Sequence, residues 1–352
     1  MSRFPRGSEA AVGTPQRTIA LLAALLLPLL LASFLSLSPA AAGQYDVDRI
    51  GGADRYEVAA GTALAYYGDG TTVDTVYIAS GELYSDALGA GAAASVDGDA
   101  VLLLTRQGSV PRATANALAE LRPRTIKVIG GTATISSSVE TALRPYALER
   151  VVRIDGKDRY EVAANVSRDV VAWTSDTVYI ASGGGFSDAV AAAGVASTWG
   201  RPVLLTAQGY LPASVAAELD RLEPSRIVVV GGPASVSDRV LSMLRSYGPT
   251  VRVGGADRYE VSANLVGDLS AEQDMLFGDP EVYFASVTSG TAFADSLSAA
   301  NLSQPVLFTR PGVLPRSVSS TFSRYGIGYV VIVGGEATVG PDVERTLWSL
   351  TG

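Results

Sequence analysis

Six arginines recur in this chain in a fixed pattern, and a guanidinium is the side chain best suited to grip a phosphate or carboxylate with two parallel hydrogen bonds. Arg49, Arg153 and Arg252 sit near the ends of short apolar runs, and Arg55, Arg159 and Arg258 follow inside the repeated block DRYE. One such arginine per block could neutralise an acidic group of a polymer, and several in one chain would gain affinity by avidity. The same arginines could instead close ion pairs with Asp54, Glu57 and their counterparts. The sequence leaves both readings open.

Three double glycines, Gly130-Gly131, Gly231-Gly232 and Gly334-Gly335, each follow an apolar run. The first two lead into Thr132 to Thr134 and Pro233 to Ser235, where backbone N–H groups and hydroxyls stand without a carboxylate. Such a turn suits an anion or a sugar hydroxyl, or it merely supplies positive φ and close approach of two chain segments. The loop Ser182 to Asp188 also follows a strand and opens a helix, yet it has neither a phosphate-loop lysine nor GxGxxG spacing. An aspartate at a helix start takes up the amides an anion would need and repels the anion itself. Asp86 in YSDAL, Asp188 in FSDAV and Asp295 in FADSL are therefore read as helix caps.

Catalysis is narrowed by composition. The chain has no histidine and no cysteine, which removes histidine- or cysteine-ligated zinc, Cys-His nucleophiles and Ser-His-Asp triads. A Ser-Lys dyad would have to use Lys127 or Lys157, and alanine replaces Lys157 in the other two blocks. A glycosidase-type carboxylate pair survives the elimination, although the acidic residues that recur stand at helix starts. No cofactor and no metal are expected.

These residues must be positioned by a repeated scaffold. Gly51 to Val58 (GGADRYEV) recurs unchanged at Gly254 to Val261 and as DGKDRYEV at Asp155 to Val162. The SDAL-like element and the double glycine repeat in the same order and phase, at a period of about 100 residues, far longer than a solenoid repeat. Each unit is thus expected to be a small domain with its own core. In the second unit Thr177 to Ser182, Pro202 to Thr206 and Arg226 to Val230 are short, continuously apolar runs, as strands covered on both faces should be. They alternate with helical stretches over Tyr160 to Ala172, Asp188 to Thr198, Pro212 to Leu222 and Val236 to Tyr247, which predicts a mainly parallel sheet with right-handed crossovers.

Local signals agree. Asp54 and Glu57 form a capping box, followed by one apolar face of Tyr56, Ala59, Ala60, Ala63 and Leu64. Pro212 and Pro315 suit first helical positions. Short strands, Val47 to Ile50, Val151 to Ile154 and Val251 to Val253, precede each DRYE block. If each completes the preceding sheet, the third sheet lacks a strand that the first could supply, closing the units into a ring. Loops after parallel strands emerge at one carboxyl edge, where open α/β sheets place their ligands.

Arg3, Arg6 and Arg17 precede an apolar stretch from Ile19 through Leu35 that ends in small residues before Gly43, which reads as an export signal over 1–42, cleaved rather than kept as an anchor. The membrane is then met only in transit. The net charge is −8, so nucleic acid is not an expected partner. The units are placed at 43–150, 151–250 and 251–352.

The pattern R-[IV]-x-G-x-DRYE, the strand with [FY]-[SA]-D-[AS]-[LV], the PVLLT-like strand (Val101 to Thr105, Pro202 to Thr206, Pro305 to Thr309) and the double glycine together resemble the cell wall-binding repeat 2 family. The resemblance implies three tandem Rossmann-like or Toprim-like α/β parallel-sheet domains arranged as a pseudo-threefold trimer. It implies non-covalent, non-catalytic attachment to the bacterial cell wall through an anionic polymer, such as a teichoic-acid-like or peptidoglycan-linked glycan. It further implies that the PVLLT segment and the clefts between domains contribute to polymer binding, pointing to Leu103, Leu104, Leu204, Leu205, Val306 and Leu307. The third repeat departs from the pattern through Phe308, FADSL and an insertion around Gln273 to Pro280. Competing readings are a wall-modifying glycosidase that uses Asp or Glu and an extracellular solute receptor.

Overall fold

The computed structural model describes residues 46–67, 72–97 and 99–351; the export segment expected over 1–42 lies outside them. The elements run β1 (Asp46–Ile50), α1 (Arg55–Tyr67), β2 (Thr75–Ser80), α2 (Tyr84–Val96), β3 (Ala100–Thr105), α3 (Arg112–Leu121), β4 (Thr125–Ile129), α4 (Ser137–Leu143) and β5 (Arg150–Ile154). They continue as α5 (Arg159–Val170), β6 (Thr177–Ser182), α6 (Ser187–Thr198), β7 (Val203–Thr206), α7 (Ala213–Leu222), β8 (Arg226–Val230), α8 (Asp238–Leu244) and β9 (Thr250–Val253). The last set is α9 (Arg258–Phe277), β10 (Phe284–Ser289), α10 (Phe293–Ser298), β11 (Val306–Thr309), α11 (Arg316–Tyr325), β12 (Tyr329–Val333) and α12 (Pro341–Thr351).

Strands and helices alternate because each strand is apolar on both faces and must be covered twice; β2 and β6 are buried at every position. The result is three four-stranded sheets of one topology, β3-β2-β4-β5, β7-β6-β8-β9 and β11-β10-β12-β1. Every pairing is parallel. The expected ring closure is present: β1 pairs with β12 from Asp46↔Tyr329 to Ile50↔Val333. Each sheet therefore runs past the boundaries expected at 150 and 250, since β5 and β9 complete the first and second sheets before the next unit begins.

The helices α2, α6 and α10 pack against one another at the centre, and α5, α9 and α1 lie respectively against them, each from a neighbouring unit. Small side chains permit that approach. A Cβ on Gly89 would lie 3.2 Å from the Cα of Ala163, and one on Gly194 would lie 2.7 Å from the amide nitrogen of Val306. The expectation of one core per unit is corrected accordingly. A single inner cluster joins side chains of all three units, including Leu104, Val190 and Leu297. Separate outer clusters lie beneath the first and second units alone.

Polar locks fix the register of the units. Asn301, buried in the third unit, accepts from the Leu102 amide at 2.7 Å and donates to the Leu102 carbonyl at 2.9 Å. Lys127 on β4 meets Asp169 on α5 at 2.7 Å and Asp97 at 2.9 Å. Arg226 on β8 meets Asp268 on α9 at 2.6 Å. These ion pairs are partly buried, so loss of one partner leaves a charge only incompletely compensated by water.

The insertion in the third repeat is a helical extension. Helix α9 has 20 residues where α5 has 12, and its added end carries the exposed Met275, Leu276 and Phe277. Pro212 and Pro315 stand one residue earlier than expected, as extended caps (ψ 143° and 146°) instead of first helical residues.

Candidate functional site

In a sheet ordered β3-β2-β4-β5 the chain winds one way from β2 and the other way into β4, so the loops that leave these two strands diverge and open a crevice at their carboxyl ends. The loop after β2 leads to Asp86, and the loop after β4 is the Gly130-Gly131 turn. The equivalent pairs are Asp188 with Gly231-Gly232 and Asp295 with Gly334-Gly335. The repeated motifs thus meet at one edge, in three places.

The aspartates do not cap their helices, contrary to the sequence expectation. Helices α2, α6 and α10 begin without a side-chain cap. Asp86 Oδ2 instead accepts from the Thr134 hydroxyl at 2.6 Å, and Asp295 Oδ2 accepts from Thr338 at 3.0 Å. Asp188 is bonded in the same way to Ser235. The sequence signal for this brace was the hydroxyl residue at a constant offset behind each double glycine.

The first glycine of each turn is a structural requirement. Gly130, Gly231 and Gly334 have φ of 100°, 101° and 125°, and a Cβ on Gly130 would lie 2.6 Å from Asp86 Oδ2. The second glycines, Gly131, Gly232 and Gly335, are different. Gly131 has open space where a side chain would go, and Gly232 and Gly335 line clefts of about 460 and 470 Å³.

The six arginines separate into two groups. Arg49, Arg153 and Arg252 donate through Nη1 to the carbonyls of Gly334, Gly130 and Gly231 at 2.9, 2.7 and 2.8 Å. They also pair with Glu344 at 2.8 Å, Glu140 at 2.8 Å and Asp238 at 3.2 Å. These three are clamps that hold the glycine turn against the adjoining strand.

Arg55, Arg159 and Arg258 also donate through Nη1, to the carbonyls of Gly81, Gly183 and Gly290. None of them forms an ion pair among the described residues. The expected pairing with Asp54 or Glu57 is absent because those carboxylates are occupied in the capping box. Asp54 accepts from the amides of Tyr56 and Glu57 at 2.9 and 3.0 Å, and Glu57 accepts from Ala53 at 2.7 Å. Asp158 with Glu161 and Asp257 with Glu260 repeat the arrangement.

The two clefts are built from these parts. One is lined by Asp54, Arg55, Phe293, Asp295, Gly335 and Thr338. The other is lined by Asp188, Gln208, Gly232, Ser235, Asp257 and Arg258. Each therefore spans a sheet edge of one unit and the helix start that follows its last strand. Leu103, Leu104, Leu204, Leu205, Val306 and Leu307 lie elsewhere, with exposures of 2% or less. Their strands are covered on both faces, so these side chains fill the core and present no surface to a polymer.

Burial raises the carboxyl pKa of Asp188 and of Asp295, with Ser235 and Arg258 opposing the shift at the first and Thr338 and Arg55 at the second. A carboxyl whose folded pKa exceeds its unfolded value binds protons more readily in the folded state, so its ionisation destabilises the fold as pH rises. Asp295→Asn keeps an oxygen acceptor for Thr338 and removes that penalty. The melting temperature of the variant relative to wild type is expected to be most favourable near pH 7 and to fall steadily toward about pH 4. A difference that stays constant across this range would contradict the assignment.

Comparison with known proteins bears on most of the chain. The Cell wall binding domain 2 (CWB2) family matches at residues 49–140, 153–241 and 252–344. The amidase enhancer of Bacillus subtilis (strain 168) is 29% identical over 327 residues, covering 90% of this chain and 43% of that protein. The N-acetylmuramoyl-L-alanine amidase LytC of the same organism is 28% identical over 313 residues, covering 88% of this chain and 59% of that protein. The solved structures of Cwp6 and Cwp8 from Clostridium difficile superpose with a TM-score of 0.75 each, at 24% and 20% identity. They cover 88% of this chain and 50% and 52% of theirs. The chain thus spans about half the length of the relatives it matches.

Proposed function

The chain belongs to the Cell wall binding domain 2 family, and from that premise we propose that it is exported through residues 1–42 and held on the cell wall by an anionic glycan, without catalysing a reaction. The observation that supports this reading is the state of Arg55, Arg159 and Arg258. Each guanidinium is anchored by one carbonyl, has no carboxylate within ion-pair distance among the described residues, and stands at the carboxyl edge of the sheets. A positive group held in place by the fold loses little freedom on binding an anion. Three in one chain let individually weak contacts add through a polymer that reaches all of them.

A hydrolase reading is less well supplied. Asp54, Asp158 and Asp257 are committed to helix amides, while Asp86, Asp188 and Asp295 are committed to hydroxyls. The second glycines, Gly131, Gly232 and Gly335, would offer room for sugar hydroxyls beside the arginines. Arg49, Arg153 and Arg252 would act on the polymer only indirectly, through the turn they clamp.

Full-length protein is expected to sediment with isolated cell walls and to be released by salt at about 1 M, where the screening length falls to roughly 3 Å. Walls chemically stripped of anionic glycans should retain about a tenth as much or less. Equal retention on stripped and intact walls would refute the proposal.

A further inference from the structure

The residue that precedes each S/A-D pair is aromatic in all three repeats: Tyr84, Phe186 and Phe293. These side chains belong to three different units, yet their ring centroids lie 6.4, 6.0 and 6.3 Å apart, forming one closed triangle. All three rings are half-buried. They sit at or beside the starts of the central helices, so they mark the pseudo-threefold axis where it reaches the carboxyl edge.

Two of the three arginines without an ion pair flank this triangle. The guanidinium carbon of Arg55 lies 5.6 Å from the centre of the Phe293 ring, and that of Arg258 lies 5.8 Å from the centre of Phe186. Since Nη1 of each arginine is given to a glycine carbonyl, Nε and Nη2 remain as a fork without a protein acceptor among the described residues. The glycines are what allow this placement. A Cβ at Gly81, Gly183 or Gly290 would come within 3.1, 3.0 or 3.0 Å of the arginine Cδ and closer still to the adjoining tyrosine ring.

We propose that the axis is a single composite binding site, into which the two clefts open through Arg55 with Phe293 and through Arg258, and which takes one pyranose ring bearing a carboxylate or phosphate. The aromatic triangle contacts the apolar face of the ring, and the arginine forks grip the anion. This rests on the wall-binding reading and sharpens it. The polymer would be held once per chain at the axis by a residue to which all three repeats contribute, and not three times by equivalent units.

The test is a titration of the full chain with methyl glucuronide and, separately, glucose 6-phosphate, followed through backbone amide resonances. Methyl glucoside and inorganic phosphate serve as controls. One saturable site per chain is expected for at least one anionic sugar, with shifts at Gly81, Gly183 and Gly290 together, and with both controls at least about tenfold weaker. Arg258→Lys keeps the charge and removes the fork, and Phe186→Leu removes a third of the aromatic triangle; each should weaken binding by about tenfold. Should Phe186→Leu fail to fold, Arg258→Lys alone decides.

Three equal sites per chain, no binding of either anionic sugar, undiminished affinity in Arg258→Lys, or inorganic phosphate binding as tightly as the sugars would each overturn the proposal. Wall sedimentation of the wild-type chain separates the two claims. A protein that sediments with walls yet fails these titrations refutes the axial site and leaves wall attachment standing, whereas one that does not sediment refutes attachment itself.

Discussion

Deleting residues 46–50 is expected to lower the melting temperature by about 5–10 °C, even though the segment is one short strand at the start of the described chain. Its five residues pair with β12, Val47 is 5% exposed, and Arg49 clamps Gly334 and pairs with Glu344. Loss of these hydrogen bonds, the apolar burial and a pair that leaves Glu344 alone should cost about 5 kcal/mol. The cause is the ring closure. A companion experiment isolates it: residues 46–53 are moved behind residue 351, joined by a linker like the six-residue segment 144–149 between α4 and β5. This permutant places β1 after α12, as β5 follows α4, and should melt within a few degrees of wild type. Calorimetry that found the deletion harmless, or the permutant as unstable as the deletion, would show that β1 is not an integral strand of the third sheet.

Gly231→Ala is expected to cost about 3 kcal/mol or more. Its φ of 101° is strained for any residue with a Cβ, and the added carbon would collide with Asp188 Oδ2. Neither partner can withdraw easily, because Arg252 holds the Gly231 carbonyl at 2.8 Å and Asp188 is bonded to Ser235. Denaturant titration of Gly231→Ala, Asp188→Gly and the double variant would separate the two terms. The double variant should be more stable than the sum of the singles implies, through relief of the collision, yet still less stable than wild type because the backbone strain persists. Simple additivity of the singles would mean that the collision carries no energy. Gly232→Ala, at a position without positive φ, should cost less than about 1 kcal/mol.

Much of the fold could be read in the sequence because the strands are short, β-branched and doubly covered. Thr177 to Ser182 and Arg226 to Val230 match β6 and β8 residue for residue. Ring closure was readable from repeat phase alone. The capping box also appeared as expected, with the detail that Glu57 reaches the Ala53 amide, one residue before the cap. The shared inner core was not legible. The alanines of α2 and α6 favour a helix, but neither they nor the glycines among them say that the neighbour is another unit of the same chain. The resemblance points the leucines of the PVLLT strands toward polymer binding, whereas their own apolar continuity indicates the burial they have. The two roles of the arginines could not be separated without coordinates, since both groups recur with the same regularity and differ only in whether a carboxylate comes within reach.

The direction of the strands has one more consequence. All strands of the third sheet run the same way, and α12 returns antiparallel to them, so Leu350 and Thr351 share a crevice with Tyr283 and Gly326, just ahead of β10 and β12. Residue 46 begins β1 on that same side. Both ends of the described chain therefore leave from the floor of the molecule, and the arginines occupy its roof. On the proposed mode of attachment, a passenger domain fused at either end would hang away from the arginine face, and neither fusion should shade it.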